Sequence, residues 1–202
     1  MDKITNEVEE LFKEKDQWDS FLELTEKSEK ISEDWFSKLK PSLNYIFNVE
    51  DINDEWEFDS TGDKDYRWYL KEFGRNTIYL FFDNVSFGLF ANGDIMNIQS
   101  LKSKLREKNF LPIRASLERL DYCLEDDEEW YLIYETGNFS FGSLSDKNID
   151  EKSLAWYANY RNEEFIYQIK NKVDKFRKSK DIIKLFIRRS LYGLIPRGLP
   201  RL

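Results

Sequence analysis

A chain of 202 residues with 41% hydrophobic and 35% charged residues, a mean hydropathy of -0.69 and a formal charge of -8 is long enough for one well-filled core. It is too polar for a membrane protein, and no apolar run approaches the roughly 18 residues that a bilayer span needs. The absence of histidine and the single cysteine, Cys123, exclude imidazole-based triads, HExxH and other histidine-containing zinc sites, thiolate clusters and an internal disulfide, so any chemistry falls to Asp, Glu, Lys, Tyr, Ser and Arg.

The opening residues, MDKITNEVEE, are acidic and polar, unlike a signal or transit peptide, which predicts a cytoplasmic protein. Charge is segregated along the chain. Residues 1–60 carry 18 Asp/Glu against 7 Lys/Arg, residues 61–150 carry 16 against 11, and residues 151–202 carry 5 against 13. Either the acidic and basic ends lie against each other or both are solvated faces; the sharper alternative is that the basic end meets an anionic partner.

From Asn6 to Leu24, Val8, Leu11, Phe12, Trp18, Phe21 and Leu22 recur at helical spacings, which predicts one helix or a pair. A second helix is expected to start near Ser32 and to stop before Pro41. Tyr45, Phe47 and Val49 then alternate as in a strand, followed by Trp56 and Phe58, and by Tyr66, Trp68 and Leu70. The loop Asp59 to Asp65 superficially resembles a calcium loop, but its glycine and terminal acid fall at the wrong positions, so a polar hairpin loop is expected.

The clearest signal is Thr77 to Gln99, TIYLFFDNVSFGLFANGDIMNIQ, which reads as three strands joined by turns at Asp83-Asn84 and Asn92-Gly93. Two-residue loops at both sites pair Phe82 with Val85, Leu80 with Phe87 and Ile78 with Leu89, and then Leu89 with Met96 and Phe87 with Ile98. Side chains alternate with a period of two, so these eight apolar residues share one face. The opposite face is expected to carry Tyr79, Phe81, Phe90 and Ile95, with Gly88 opposite Tyr79. Buried core is the expected use of those rings; a platform for unpaired bases is the alternative.

A short helix capped by Ser100 and further helical turns around Ala115 to Cys123 precede the acidic run Glu125 to Glu129, read as a solvated loop rather than a cation site. Trp130 to Leu144 predicts another hairpin around Gly137-Asn138, and its Tyr131-Leu132 and Ser140-Phe141-Gly142 echo Tyr79-Leu80 and Ser86-Phe87-Gly88. Asp150 caps a helical segment, a long basic amphipathic helix is expected over Glu163 to Tyr192, and the Pro- and Gly-containing tail 193–202 leaves it.

Neither GxxxxGK[ST] nor GxGxxG occurs, which removes the main sequence support for nucleotide-binding classes. No cofactor and no metal site is expected. The expectation is an α+β fold, an antiparallel sheet of about five to seven strands with helices from both chain ends packed on it, in one domain over residues 1–192. The functional expectation is a non-catalytic cytosolic binding protein, an inhibitor, immunity or adaptor protein; a Lys-, Asn- and Ile-rich composition suggests bacterial or phage origin. Its contact surface would be the C-terminal helix through Lys175, Arg177, Lys178, Arg188 and Arg189, with a protein partner ahead of nucleic acid because the net negative charge repels polyanions. The alternatives are a magnesium-dependent nuclease using Asp59, Asp83, Asp150 and Lys152, or a nucleic-acid-binding module using that helix.

Overall fold

The computed structural model describes residues 14–51, 53–62, 65–83, 86–117, 131–136 and 151–192. The acidic run at 125–129, the second arm of the 130–144 hairpin and the tail 193–202 therefore lie outside the described residues.

Helix α1 spans Lys15–Phe36 without interruption, one helix where a break before Ser32 was expected. The intervening residues TEKSEKI contain neither Gly nor Pro. The Thr25 hydroxyl donates to the Phe21 carbonyl at 2.9 Å, so it does not compete for the helix's own N–H groups. After a short turn, α2 covers Leu39–Tyr45, with Pro41 in its first turn, where a missing N–H costs no helical bond. It runs directly into a π-helical turn, Ile46–Glu50, closed by the Asp51 N–H donating to the Ile46 carbonyl at 2.7 Å.

This overturns the strand expected at Tyr45, Phe47 and Val49. Leu39, Leu43 and Phe47 are buried at helical spacing while Tyr45 and Val49 are exposed, so a 3.6-residue stripe underlay what looked like a period of two. Asn53 then ends the helical stretch, its side-chain oxygen accepting from the Glu55 and Trp56 N–H groups at 2.9 and 3.1 Å.

Strands β1 (Trp56–Thr61), β2 (Asp65–Leu70), β3 (Ile78–Asp83) and β4 (Ser86–Ala91) form an antiparallel meander, and β5 (Tyr131–Thr136) pairs antiparallel with β4. The arrangement is α+β, on an antiparallel sheet whose four-strand meander runs from β1 to β4. Gly62, at φ 71°, follows β1 in a left-handed conformation that L side chains rarely adopt.

Register differs from expectation in a way that preserves parity. Phe82 pairs with Phe87, Leu80 with Leu89 and Ile78 with Ala91, so the pairing closes at Asp83 with Ser86 and not at Phe82 with Val85. The slip moves each partner by two residues, and a two-residue shift leaves every side chain on its own face. Gly88 accordingly lies opposite Phe81, not Tyr79.

The second expected turn is absent. At Asn92-Gly93 the Asn92 side chain accepts from the Asp94 N–H at 2.9 Å, and its carbonyl accepts from Ile95 and Met96 at 3.1 and 2.9 Å. The chain winds up there instead of reversing. Asn97, not Ser100, caps helix α3 (Ile98–Leu105), its side-chain oxygen accepting from the Ser100 N–H at 2.8 Å. Met96 and Ile98 still reach the main core together with Ile78, Leu80, Phe82, Phe87 and Leu89, while Val85 lies outside the described residues.

A 3₁₀ turn, Lys108–Phe110, leads to α4 (Leu111–Ser116), and α5 (Glu151–Tyr160) packs on α1. The expected long C-terminal helix is two, α6 (Asn162–Arg177) and α7 (Lys180–Tyr192), separated by Lys178-Ser179. The turn lets two stripes, Phe165, Ile169, Val173 and Phe176 on α6 and Ile183, Phe186 and Ile187 on α7, enter one core. Phe82 stands near its centre, stacked on Tyr66 at 5.9 Å, edge-on to Phe165 at 6.0 Å and beside Phe36 at 6.4 Å. Among the described residues, no helix is long and apolar enough to cross a membrane.

Candidate functional site

Backbone pairing of β1 with β2 sets Trp56 opposite Leu70, and the Lys71 N–H donates to the Glu55 carbonyl at 2.9 Å. One end of the hairpin thereby presents Glu55 and Glu72 together. Facing them are Lys180, Lys184 and Arg188, four residues apart on one side of α7. Glu55 accepts from Lys180 and, at 2.6 Å, from Lys184; Glu72 accepts from Arg188 and lies 3.7 Å from Lys184. Hydrogen bonds from Lys180 and then Lys184 hold the Glu55 carboxyl at a pKa of about 2, and the bond from Arg188 lowers that of Glu72.

The ladder extends to α6, where Arg177, 9% exposed, donates to Asp51 at 2.5 Å and lies over the Phe47 ring at 5.1 Å. Of the five basic residues singled out from sequence, Arg177 is thus tied to Asp51 in the acidic first sixty residues and Arg188 to Glu72 just beyond them. Lys175, Lys178 and Arg189 are exposed. The structure supports the reading in which acidic and basic ends lie against each other.

Tyr79, Phe81 and Phe90 do come together with Tyr69 on the sheet face opposite the main core, Tyr79 stacked on Phe90 at 4.7 Å and Arg67 4.8 Å from the Tyr79 ring centre. Tyr79 and Phe81 are 8% and 2% exposed, whereas stacking unpaired bases needs open ring faces. Asp65 and Asp83 stand opposite each other at the end of the same face, and Arg67 donates to both oxygens of Asp65 at 3.1 and 2.5 Å. Burial first, and the Asp65 charge second, raise the Asp83 pKa to about 6. Asp59, on β1, lies 3.6 Å from Arg75; Asp150 and the side chain of Lys152 lie outside the described residues. Among the described residues no group of three or more Asp, Glu or Cys side chains is arranged to hold a metal ion.

A concave surface among the described residues lies elsewhere. A groove of about 700 Å³ opens between α2 with its π turn and the first half of α6, lined by Pro41, Ser42, Tyr45, Ile46, Glu50, Asn162, Glu163, Ile166, Tyr167 and Lys170. Its walls are fixed by the Ser42 hydroxyl against the Asn162 side-chain oxygen at 3.0 Å, and by the Asn162 amide donating to the Ala158 carbonyl at 2.9 Å. Packing of Leu43 and Phe47 beneath, both buried, sets the height of the α2 wall. Glu50 belongs to the π turn, a local widening of the helix often found at functional positions.

Tyr45 and Tyr167 are 55% and 61% exposed, and Glu50 and Glu163 are exposed as well. Lys170, the cation in the lining, donates to Asp174 at 2.6 Å and lies 3.6 Å from Asp51. Burial opposes its charge, but the Asp174 hydrogen bond with the Asp174 and Asp51 charges outweighs burial, and its pKa is raised. The groove therefore offers two aromatic rings, two carboxylates and a charged lysine already paired with Asp174. Sequence reasoning missed this site because residues 45–49 read as a strand. The available signal was the four-residue spacing of Pro41 and Tyr45 and of Glu163 and Tyr167, which puts each pair on one helical face. No family model, no curated protein and no solved structure matches the chain.

Proposed function

We propose that the chain is a non-catalytic cytosolic binding protein of the inhibitor, immunity or adaptor kind, and that it seats part of a partner protein in the groove between α2 and α6. The observation that carries this reading is the pairing of concavity with exposed tyrosine: Tyr45 and Tyr167 flank a groove of about 700 Å³ while more than half exposed. Tyrosine is a favoured contact residue because it buries a large ring at low entropic cost and keeps a polar tip. Lys175, Lys178 and Arg189, exposed near the end of α6 and on α7, would meet acidic groups of the same partner away from the groove.

The test is affinity capture from bacterial lysate with the wild-type chain and with a Tyr45→Ala/Tyr167→Ala variant whose fold is checked by circular dichroism. A partner retained by the wild type at moderate salt and lost by the variant supports the reading. Equal retention by both, or retention abolished by nuclease treatment of the lysate, overturns it.

A further inference from the structure

We propose that what enters the groove is an arginine side chain of the partner. This rests on the groove being the contact site and names the group it takes. The charged members of the lining are Glu50, Glu163 and Lys170, and Lys170 is already bonded to Asp174 and close to Asp51. The groove thus presents two carboxylates and no uncommitted lining cation.

An anion is the wrong guest. The first turn of α6 would attract one through its N–H groups, but Glu163 and Glu164 stand in that turn. A purely apolar side chain could lie on the rings of Tyr45 and Tyr167 and on Pro41, but it would take water from Glu50 and Glu163 and return no hydrogen bond to either.

A guanidinium matches both remaining features. It is planar and weakly hydrated, so it stacks on exposed tyrosine rings such as Tyr45 and Tyr167, and its forked N–H groups bond a carboxylate at either end of the groove, Glu163 beside the Ser42–Asn162 contact or Glu50 beside the Asp51–Lys170 contact. An ammonium, compact and strongly hydrated, uses the carboxylates but gains less from the rings.

The experiment titrates the full chain, with ring-labelled tyrosine, against three blocked hexapeptides identical except for one central residue: arginine, its neutral isostere citrulline, or lysine. The arginine peptide is expected to shift the Tyr45 and Tyr167 ring resonances, identified by Tyr45→Phe and Tyr167→Phe, in a saturable way. Citrulline, and separately the Glu50→Gln/Glu163→Gln variant, should weaken binding by about tenfold or more, as loss of a charge-assisted contact implies. Citrulline or lysine binding as tightly as arginine, or no shift with arginine, overturns the proposal. A partner captured by the wild type and lost by the tyrosine variant would still leave the groove as the contact site, so the two readings fail separately.

Discussion

Asp83 shows how one buried carboxyl sets a pH dependence. It faces Asp65 across the β2–β3 pair, and burial followed by that like charge raises its pKa from an ordinary 3.8 to about 6. A raised carboxyl binds a proton more readily in the folded chain, so its contribution to stability is complete below pH 3.8 and is lost as pH rises through about 6. Asp83→Asn removes that loss. Urea denaturation at pH 7.5 is expected to show the variant more stable by about 1 kcal/mol, after allowance for solvent screening of a partly exposed group, and the gap should close by about pH 4. A difference that does not change with pH would contradict the assignment.

Asp51 has the opposite role, since its partner Arg177 is almost fully buried and bonded to it at 2.5 Å. Asp51→Ala leaves that cation with the more distant Asp174, at 3.7 Å, and is expected to cost about 2 kcal/mol in denaturant unfolding, part of which Arg177→Met should restore in the double variant. Both groups were visible in the sequence as ordinary charges. Their partners lie 18 and 126 residues away, so nothing local marked them.

At the level of elements, α7 is docked on one side by apolar packing and on another by the ladder from Lys180, Lys184 and Arg188 to Glu55 and Glu72. Glu55, held at about 2 by Lys180 and Lys184, is a depressed carboxyl; its contribution is present above its ordinary value of 4.5 and is lost as pH falls toward about 2. Glu55→Gln should therefore accelerate amide hydrogen exchange in 180–192 relative to 162–177 at neutral pH, and acid should produce the same change in the wild type. Uniform exchange in both helices would show that the ladder does not hold α7. The four-residue spacing of its cations was plain in the sequence. That they meet Glu55 and Glu72 follows from the strand pairing that brings those two carboxylates together.

Over the whole molecule, a single aromatic-rich core joins the sheet to helices from both ends of the chain. Phe82, with no exposed surface and rings of α1, β2 and α6 around it, connects all of these. Phe82→Ala is expected to cost about 3–5 kcal/mol, with coincident loss of far-ultraviolet dichroism and tryptophan fluorescence in urea, because the cavity opens where the layers meet. Tyr79→Ala, on the smaller cluster behind the sheet, should cost less.

Alternation in residues 77–91 determined by itself which side chains enter this core, because parity survives any two-residue slip; Ile78, Leu80, Phe82, Phe87 and Leu89 all lie where it places them. It did not determine the register, which closes at Asp83 with Ser86, or the fate of Asn92-Gly93, where capping and helix packing competed with a hairpin and prevailed. The groove belonged wholly to tertiary structure. Tyr45 and Tyr167 are 122 residues apart, and only the docking of α2 on α6 makes them neighbours of one concavity. Local pattern governs which face of an element is buried, since that depends on spacing alone; which elements then meet depends on packing between distant parts of the chain, and periodicity carries no record of it.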